Sequence, residues 1–321
     1  MSGVLSRLVT WFRGTSAPRK ARSAAILAAS LWFLLTSSGR PSLTVLELRS
    51  GVESSGSATR EWKRAVEEHD GSSLNWTTHP LTMDELEWRD VIRGRLVDWE
   101  SRIPGLMLPF EGQRAIGRVR IVLGNQNGED AFGIGSDTIY FDLSALSRIY
   151  GPVAAPGNRE RLDRIFAHEC THVLQTRWEA THAFRVATPF DRALRQLWRE
   201  GLGNMYSLSD EWVTPSGDLT GRAQRALEEL EPIFVDRLRR LHTASEIEEG
   251  GLRQGLSSGP FAKKWGALPV ALWLAQEAKG DGRRLRRWVR AGSDGVLDLA
   301  RKHLGAGLAS QLAPPDSASR P

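Results

Sequence analysis

Residues 166–175, FAHECTHVLQ, restrict this chain more than any other stretch of it. His168 and His172 stand four apart, flanked by Ile165, Phe166, Val173 and Leu174. On an α-helix, residues four apart share a face one turn up, so both imidazoles can point at one ion. Glu169 then projects from an adjacent face, where it reaches a water rather than the ion. This is the mechanical content of an HExxH helix. Two buried imidazoles and a carboxylate all need partners, because an unsatisfied buried polar group is costly. A fold that accepts this segment must therefore supply a helix, a cleft and a further ligand.

A catalytic zinc site uses three protein ligands and keeps one position open. A third histidine six residues after His172, with a glycine at 175 to turn the chain, is one solution. Those positions hold Trp178 and Gln175, so it fails. Glu200 in LWREGLGNMYS (197–207) is the better candidate, 28 residues after His172. That gap accommodates the end of the first helix, the loop ATPFD (187–191) and an antiparallel return packed by Leu194, Leu197 and Trp198. Asn204 follows one turn after Glu200, where its oxygen is expected to accept the Nδ1–H of a liganding histidine and fix its tautomer. Rival ligands are Glu179, Glu160 and His182. Glu179 lies two turns further along the same helix than His172, about 10 Å away. The expected site is one zinc ion per chain on His168, His172 and Glu200, with Glu169 as general base. For the donor that stabilises an oxyanion, Tyr206, His182 and His242 remain open. Cys170 points about 200° around the helix from His168 and reads as a small core residue.

Patterning around the motif predicts an α+β chain. SLTVLELRSG (42–51) reads as a short strand and 83–103 as a helix stopped by Pro104-Gly105. A β-rich stretch follows at 117–124, 131–135 and 137–146, with Ile139 and Phe141 on one face, then a Gly/Pro loop at 151–158. Helices are expected over 159–178, 191–208, 216–242, 262–280 (interrupted at Pro269) and 283–305, before a disordered tail at 306–321. Residues 41–305 thus make one domain, strand-rich to 178 and helical over 179–305.

HECTH (168–172) followed by REGLGNMYS (199–207) resembles the gluzincins, zinc metallopeptidases with an HExxH helix and a downstream glutamate ligand. The resemblance covers roughly residues 115–210. It implies a zincin-like fold, with a small mixed β-sheet and active-site helix followed by a mostly helical part. It also implies peptide-bond hydrolysis by a metal-activated water, and an edge strand, 131–135 or 138–143, that pairs with extended peptide or protein substrate. Asn204 differs from the aspartate of thermolysin-like members, and the ligand spacing exceeds theirs. The alternative is a zincin-like exported module that binds a partner without cutting it.

The net charge of +5 does not signal nucleic acid. Residues 1–40 carry Arg7, Arg13, Arg19, Lys20, Arg22 and Arg40 with no acid, which leaves −1 for the other 281. No nucleic-acid partner is expected from a nearly neutral body. The basic start, the apolar run AAILAASLWFLL (24–35) and the small residues TSSG (36–39) follow the order of a secretory signal. Stretched to 23–39, the run is an alternative uncleaved tether. Both versions make the chain extracytoplasmic. With Cys170 the sole cysteine, no intrachain disulfide can form, so core or metal must hold the domain. The basic stretch RRLRRWVR (283–290) reads as a solvated helix face, PVALWLAQ (269–276) as a core helix, and the tryptophans at 62, 76, 88 and 99 as core or interface.

Overall fold

Three aromatic rings from three elements make the joint that fixes the motif helix. Trp99 stacks on Phe166 at 4.3 Å between centroids and on Phe141 at 5.8 Å. The computed structural model describes residues 42–47, 62, 64–68, 80–110, 118–125, 128–182, 184 and 186–312, which fall within one compact unit. The expected targeting segment and Trp76 lie outside the described residues. Among the described residues no helix is long and apolar enough to cross a membrane.

Strands β1 (Ser42–Glu47), β2 (Arg118–Gly124), β3 (Ala131–Ile134) and β4 (Thr138–Asp142) form one sheet in the order β1-β2-β4-β3. It is mixed: β2 runs parallel to β1 and β4, and β3 antiparallel to β4. Of the two candidate edge strands, β3 is the edge and β4 is interior. Side chains alternate by face, as the pleat requires. Val122, Phe132 and Tyr140 pack with Trp62 on one face. Phe141 instead meets Trp99, so the opposite face receives the helices. Trp62, Trp88 and Trp99 are all fully buried, as core residues should be.

Helix α1 (Met83–Leu106) begins at a capping box between Thr82 and Glu85 and continues through Pro104. The expected stop at Pro104-Gly105 is thus corrected. So late in a helix Pro104 removes only one ladder bond, and Met107 N–H still reaches Ile103 O at 3.0 Å. The strand expected over 137–146 ends at Asp142, whose side chain accepts from Ala145 N–H and caps α2 (Leu143–Tyr150).

Helix α3 (Asn158–Glu179) carries the motif and α4 (Pro189–Tyr206) returns beside it. Asp163, buried in α3, accepts from Trp99 Nε1 at 2.7 Å and from Arg95 and Arg102 of α1. The carboxylate and the stacked rings together set the rotation of α3. At its far end Glu179 is bound by Arg195 and Arg199 of α4 at 2.7–2.9 Å, which fixes that rival ligand away from the histidines.

Around α4 pack α5 (Gly221–Thr243), α6 (Glu246–Arg253) and α7 (Ala267–Ala278), with α8 (Arg286–Ala291), α9 (Asp294–His303) and α10 (Ala306–Ala309) beyond. Helix α6 is not among the expected helices, although Ser245 and Glu248 open it as a capping box. Pro269 lies in the first turn of α7, where its missing N–H has no intrahelical partner to lose, so the expected interruption is a start instead. The single helix expected over 283–305 is broken at Gly292, whose φ of 60° is left-handed. Over 283–290, Leu285 and Val289 are buried and Arg287 is 60% exposed, a solvated face with an apolar underside. The disorder expected from 306 is corrected over 306–312, since α10 is helical and Leu312 is buried; residues 313–321 lie outside the described set.

Candidate metal centre

Helix periodicity brings His168 and His172 together, and the antiparallel return of α4 brings Glu200 to them. The two Nε2 atoms are 2.9 Å apart. Glu200 Oε2 lies 3.7 Å from His168 Nε2, and Oε1 lies 3.7 Å from His172 Nε2. Donors at about 2.0–2.1 Å from one ion at tetrahedral angles stand about 3.3 Å from each other. The observed edges of 2.9 and 3.7 Å bracket that value. Two imidazoles and a carboxylate are also the donor chemistry zinc takes. Among the described residues, this is the cluster of histidine, cysteine and acid side chains able to hold a metal ion.

Electrostatics keep the His168 imidazole available as a ligand. Burial, and then the charge of His172, push the pKa of His168 down to about 3, against the pull of Glu200. A neutral imidazole offers the lone pair that ligation needs. Glu169 is buried, and that burial, with Glu200, Asp130 and Glu129 nearby, holds its carboxyl well above the usual range. A backbone hydrogen bond from Gly133 of β3 opposes the rise. The edge strand therefore touches the motif directly. A Cβ at Gly133 would lie 3.4 Å from Glu169 O and 3.5 Å from Glu169 Oε2.

Orientation of the histidines rests on groups that sequence reasoning had missed. His172 Nδ1 is 2.9 Å from Gln175 Oε1, and Gln175 Nε2 donates to Trp198 O and Arg199 O at 3.3 and 3.1 Å. That chain fixes the glutamine amide, so its oxygen accepts the Nδ1–H and leaves Nε2 free for a metal. His168 is held by the backbone of Gly203. Asn204 does not perform the expected role. Its Nδ2 donates to Glu200 O at 2.7 Å, one turn back in its own helix, so it supports the backbone of the third ligand instead. The signal for Gln175 was its i+3 position after His172, on the same face.

Both glycines of EGLGN are close-approach positions. A Cβ at Gly203 would come within 3.1 Å of His168 Cε1 and 3.2 Å of His172 Cε1. At Gly201 it would lie 2.3 Å from Val270 Cγ1 of α7. One glycine lets α4 meet the histidines and the other lets it meet the core behind.

The site opens on a cleft of about 750 Å³ bordered by β3, the ligands and residues 257–259. A second lobe of about 440 Å³ runs from His168 along the N-terminal half of α3. Tyr206, His182 and His242 line neither lobe. Tyr206 Oη is buried near Gly282, His182 stacks on Trp178 at 3.6 Å, and His242 packs edge-on against Phe190. Tyr150 and Lys264 border both lobes. The Tyr150 hydroxyl donates to Asp130, and burial followed by that carboxylate raises its pKa, so it is a neutral donor. Cys170 is buried and its thiol is pushed up to about 12 by burial, consistent with a core residue. Comparison with protein-family models, with curated proteins and with solved structures gives no match.

Proposed function

We propose that this chain is a zinc-dependent, gluzincin-type peptidase that hydrolyses peptide bonds in peptides or proteins. The observation that carries the reading is the His168–His172–Glu200 triangle with the buried carboxylate of Glu169 beside it, His168 Nε2 standing 4.0 Å from Glu169 Oε1. A zinc ion held by the triangle supplies a Lewis acid and brings the pKa of water into the neutral range. His168 and His172 bind through Nε2, kept in the right tautomer by Gln175 and the Gly203 backbone. Glu169 takes a proton from the attacking water and returns it to the leaving amine. Tyr150 and Lys264, which border both lobes, are the proposed donors for the developing oxyanion in place of the three suggested by sequence, Tyr150 by turning its hydroxyl away from Asp130. Among the described residues β3 is the outer strand of the sheet on this side, and it runs along the same cleft, where an extended chain can pair with it by displacing the carboxylates on its rim.

The basic and apolar order of residues 1–40 supports an extracytoplasmic location, as a secreted or tethered enzyme. Elemental analysis of the purified protein should give about one zinc per chain, lost in His168→Ala and Glu200→Ala. Glu169→Gln should retain zinc and lose at least about 100-fold in cleavage of a broad peptide library. Full metal retention in Glu200→Ala defeats the ligand assignment. A zinc-loaded wild type that cuts nothing in the library defeats the peptidase reading in favour of a binding module.

A further inference from the structure

The second lobe of the cleft has a chemistry of its own. Arg161, Arg164, Arg222 and Lys264 line it, together with the acids Asp130, Glu169 and Glu211. Most of these charges are already committed. Asp130 accepts from the Tyr150 hydroxyl and from Ala131 N–H. Glu211 is paired with Arg222, which also lies 4.6 Å over the ring of Trp212. Arg161 bonds Asn158 Oδ1 and lies 4.6 Å over Tyr150.

Two cations are left over. Among the described residues the Arg164 guanidinium has no hydrogen bond and no ion pair, although the residue is only partly exposed. The acids that act on it through space are Glu160, Glu211 and Asp163, and Asp163 is held by Trp99 and Arg95. The Lys264 ammonium has no hydrogen bond or ion pair there either, only a ring contact with Phe261 at 5.6 Å. Arg164 precedes His168 by four residues on α3, so the two share a helix face with Cβ atoms about 5–6 Å apart. A partly buried guanidinium without a partner is costly unless a ligand supplies one.

Resting on the peptidase reading, we infer that Arg164, with Lys264 in the same lobe, recognises a carboxylate of the substrate close to the scissile bond. An arginine fork matches a carboxylate in plane and in charge. One helical turn from the metal ligands corresponds to about two residues of extended chain, at about 3.3–3.6 Å per residue. The carboxylate is therefore either the free C-terminus of a short peptide or an acidic side chain one or two residues from the cut.

Matched hydroxamate-capped dipeptides test this by binding rather than turnover, using the full-length zinc-loaded protein. One has a free C-terminus, one is amidated, and one is amidated with a glutamate side chain. The free acid or the glutamate ligand should bind about 10- to 100-fold tighter than the plain amide, and which of the two gains identifies the source of the carboxylate. Arg164→Gln should bring that ratio close to one, and Arg164→Lys should retain part of it, since the charge stays and the fork is lost. Equal affinity of all three ligands for the wild type overturns the inference, as does an undiminished ratio in a folded, zinc-loaded Arg164→Gln. Failure of the two readings is separable. A chain that holds zinc and prefers carboxylate but cuts no peptide overturns only the peptidase reading. One that cuts peptides with no such preference overturns only the carboxylate anchor. A chain that holds no zinc overturns both.

Discussion

Gly201→Ala should destabilise this protein, although the same change stabilises most helices. In an exposed helix interior, alanine gains about 1 kcal/mol over glycine. Here the new methyl would stand 2.3 Å from Val270 Cγ1 and 2.8 Å from Val270 Cβ. Carbon atoms need about 3.5–4.0 Å, so one helix must retreat by more than about 1 Å. Val270 cannot swing aside, being β-branched, 1% exposed and set in a helix buried along nearly its whole length. Overpacking costs about 1–3 kcal/mol, and two contacts under 3 Å place this site in the upper half of that range, so after the alanine gain of about 1 kcal/mol the net loss should be about 1–2 kcal/mol. Because Glu200 is the preceding residue, zinc affinity by chelator competition should fall about tenfold as well. Val270→Ala alone removes two methyl groups and should cost about 2 kcal/mol. In the double variant the Cγ1 contact is gone and only the 2.8 Å contact with the Cβ of residue 270 remains, so the combined loss should be less than the sum of the two. Urea unfolding followed by tryptophan fluorescence should give a coupling energy of about 1 kcal/mol in favour of the pair, with zinc affinity partly restored. Additivity within about 0.5 kcal/mol, or a Gly201→Ala variant as stable as wild type, would refute the close-approach argument.

Two further outcomes follow from buried polar groups. Gln175→Ala removes the acceptor of His172 Nδ1 without touching a ligand, and should weaken zinc binding about 10- to 100-fold in the same competition assay. In α7, burial raises the Glu277 carboxyl, but bonds from Lys302, His303 and Arg287 outweigh it and bring the pKa down to about 2, from 4.5. A depressed acid contributes stability that is complete above pH 4.5 and lost as pH falls toward 2. Between pH 6 and 3, wild type should therefore lose on the order of 2 kcal/mol of urea-measured stability that Glu277→Gln does not lose.

What the sequence made legible were features confined to one element. Four-residue spacing brings His168 and His172 together in any α-helix, and 28 residues is enough chain for a return that carries Glu200. The support of the histidines depends instead on how far α4 is rotated about its axis, and no local pattern carries that. Asn204 and the backbone of Gly203 are adjacent in sequence, yet the backbone holds His168 while the amide turns back to Glu200 O. Element ends failed where two local rules competed. Asp142 both closes a buried strand and caps a helix, and Leu143, Ala145 and Leu146 are apolar enough to extend either. At Pro104 and Pro269 the residue was read as a break, but its meaning depends on distance from a helix end. The glycines of EGLGN counted against a helix when taken singly, and their neighbours on α3 and α7 explain them.

The outer rim of β3 is already spoken for. Asp130 O accepts from Asp142 N–H, which puts the even-numbered residues of this short strand toward β4 and leaves Ala131 and Gly133 facing out. Ala131 N–H is taken by Asp130 Oδ1 at 3.0 Å, and Gly133 donates to Glu169. A bare strand edge is a template on which other chains polymerise, and here two of the protein's own carboxylates mask it. Any strand that docks there must compete with Glu169 for the Gly133 N–H. Seating a guest and unmooring that carboxylate thus become one event, and an empty cleft keeps its edge closed to stray neighbours.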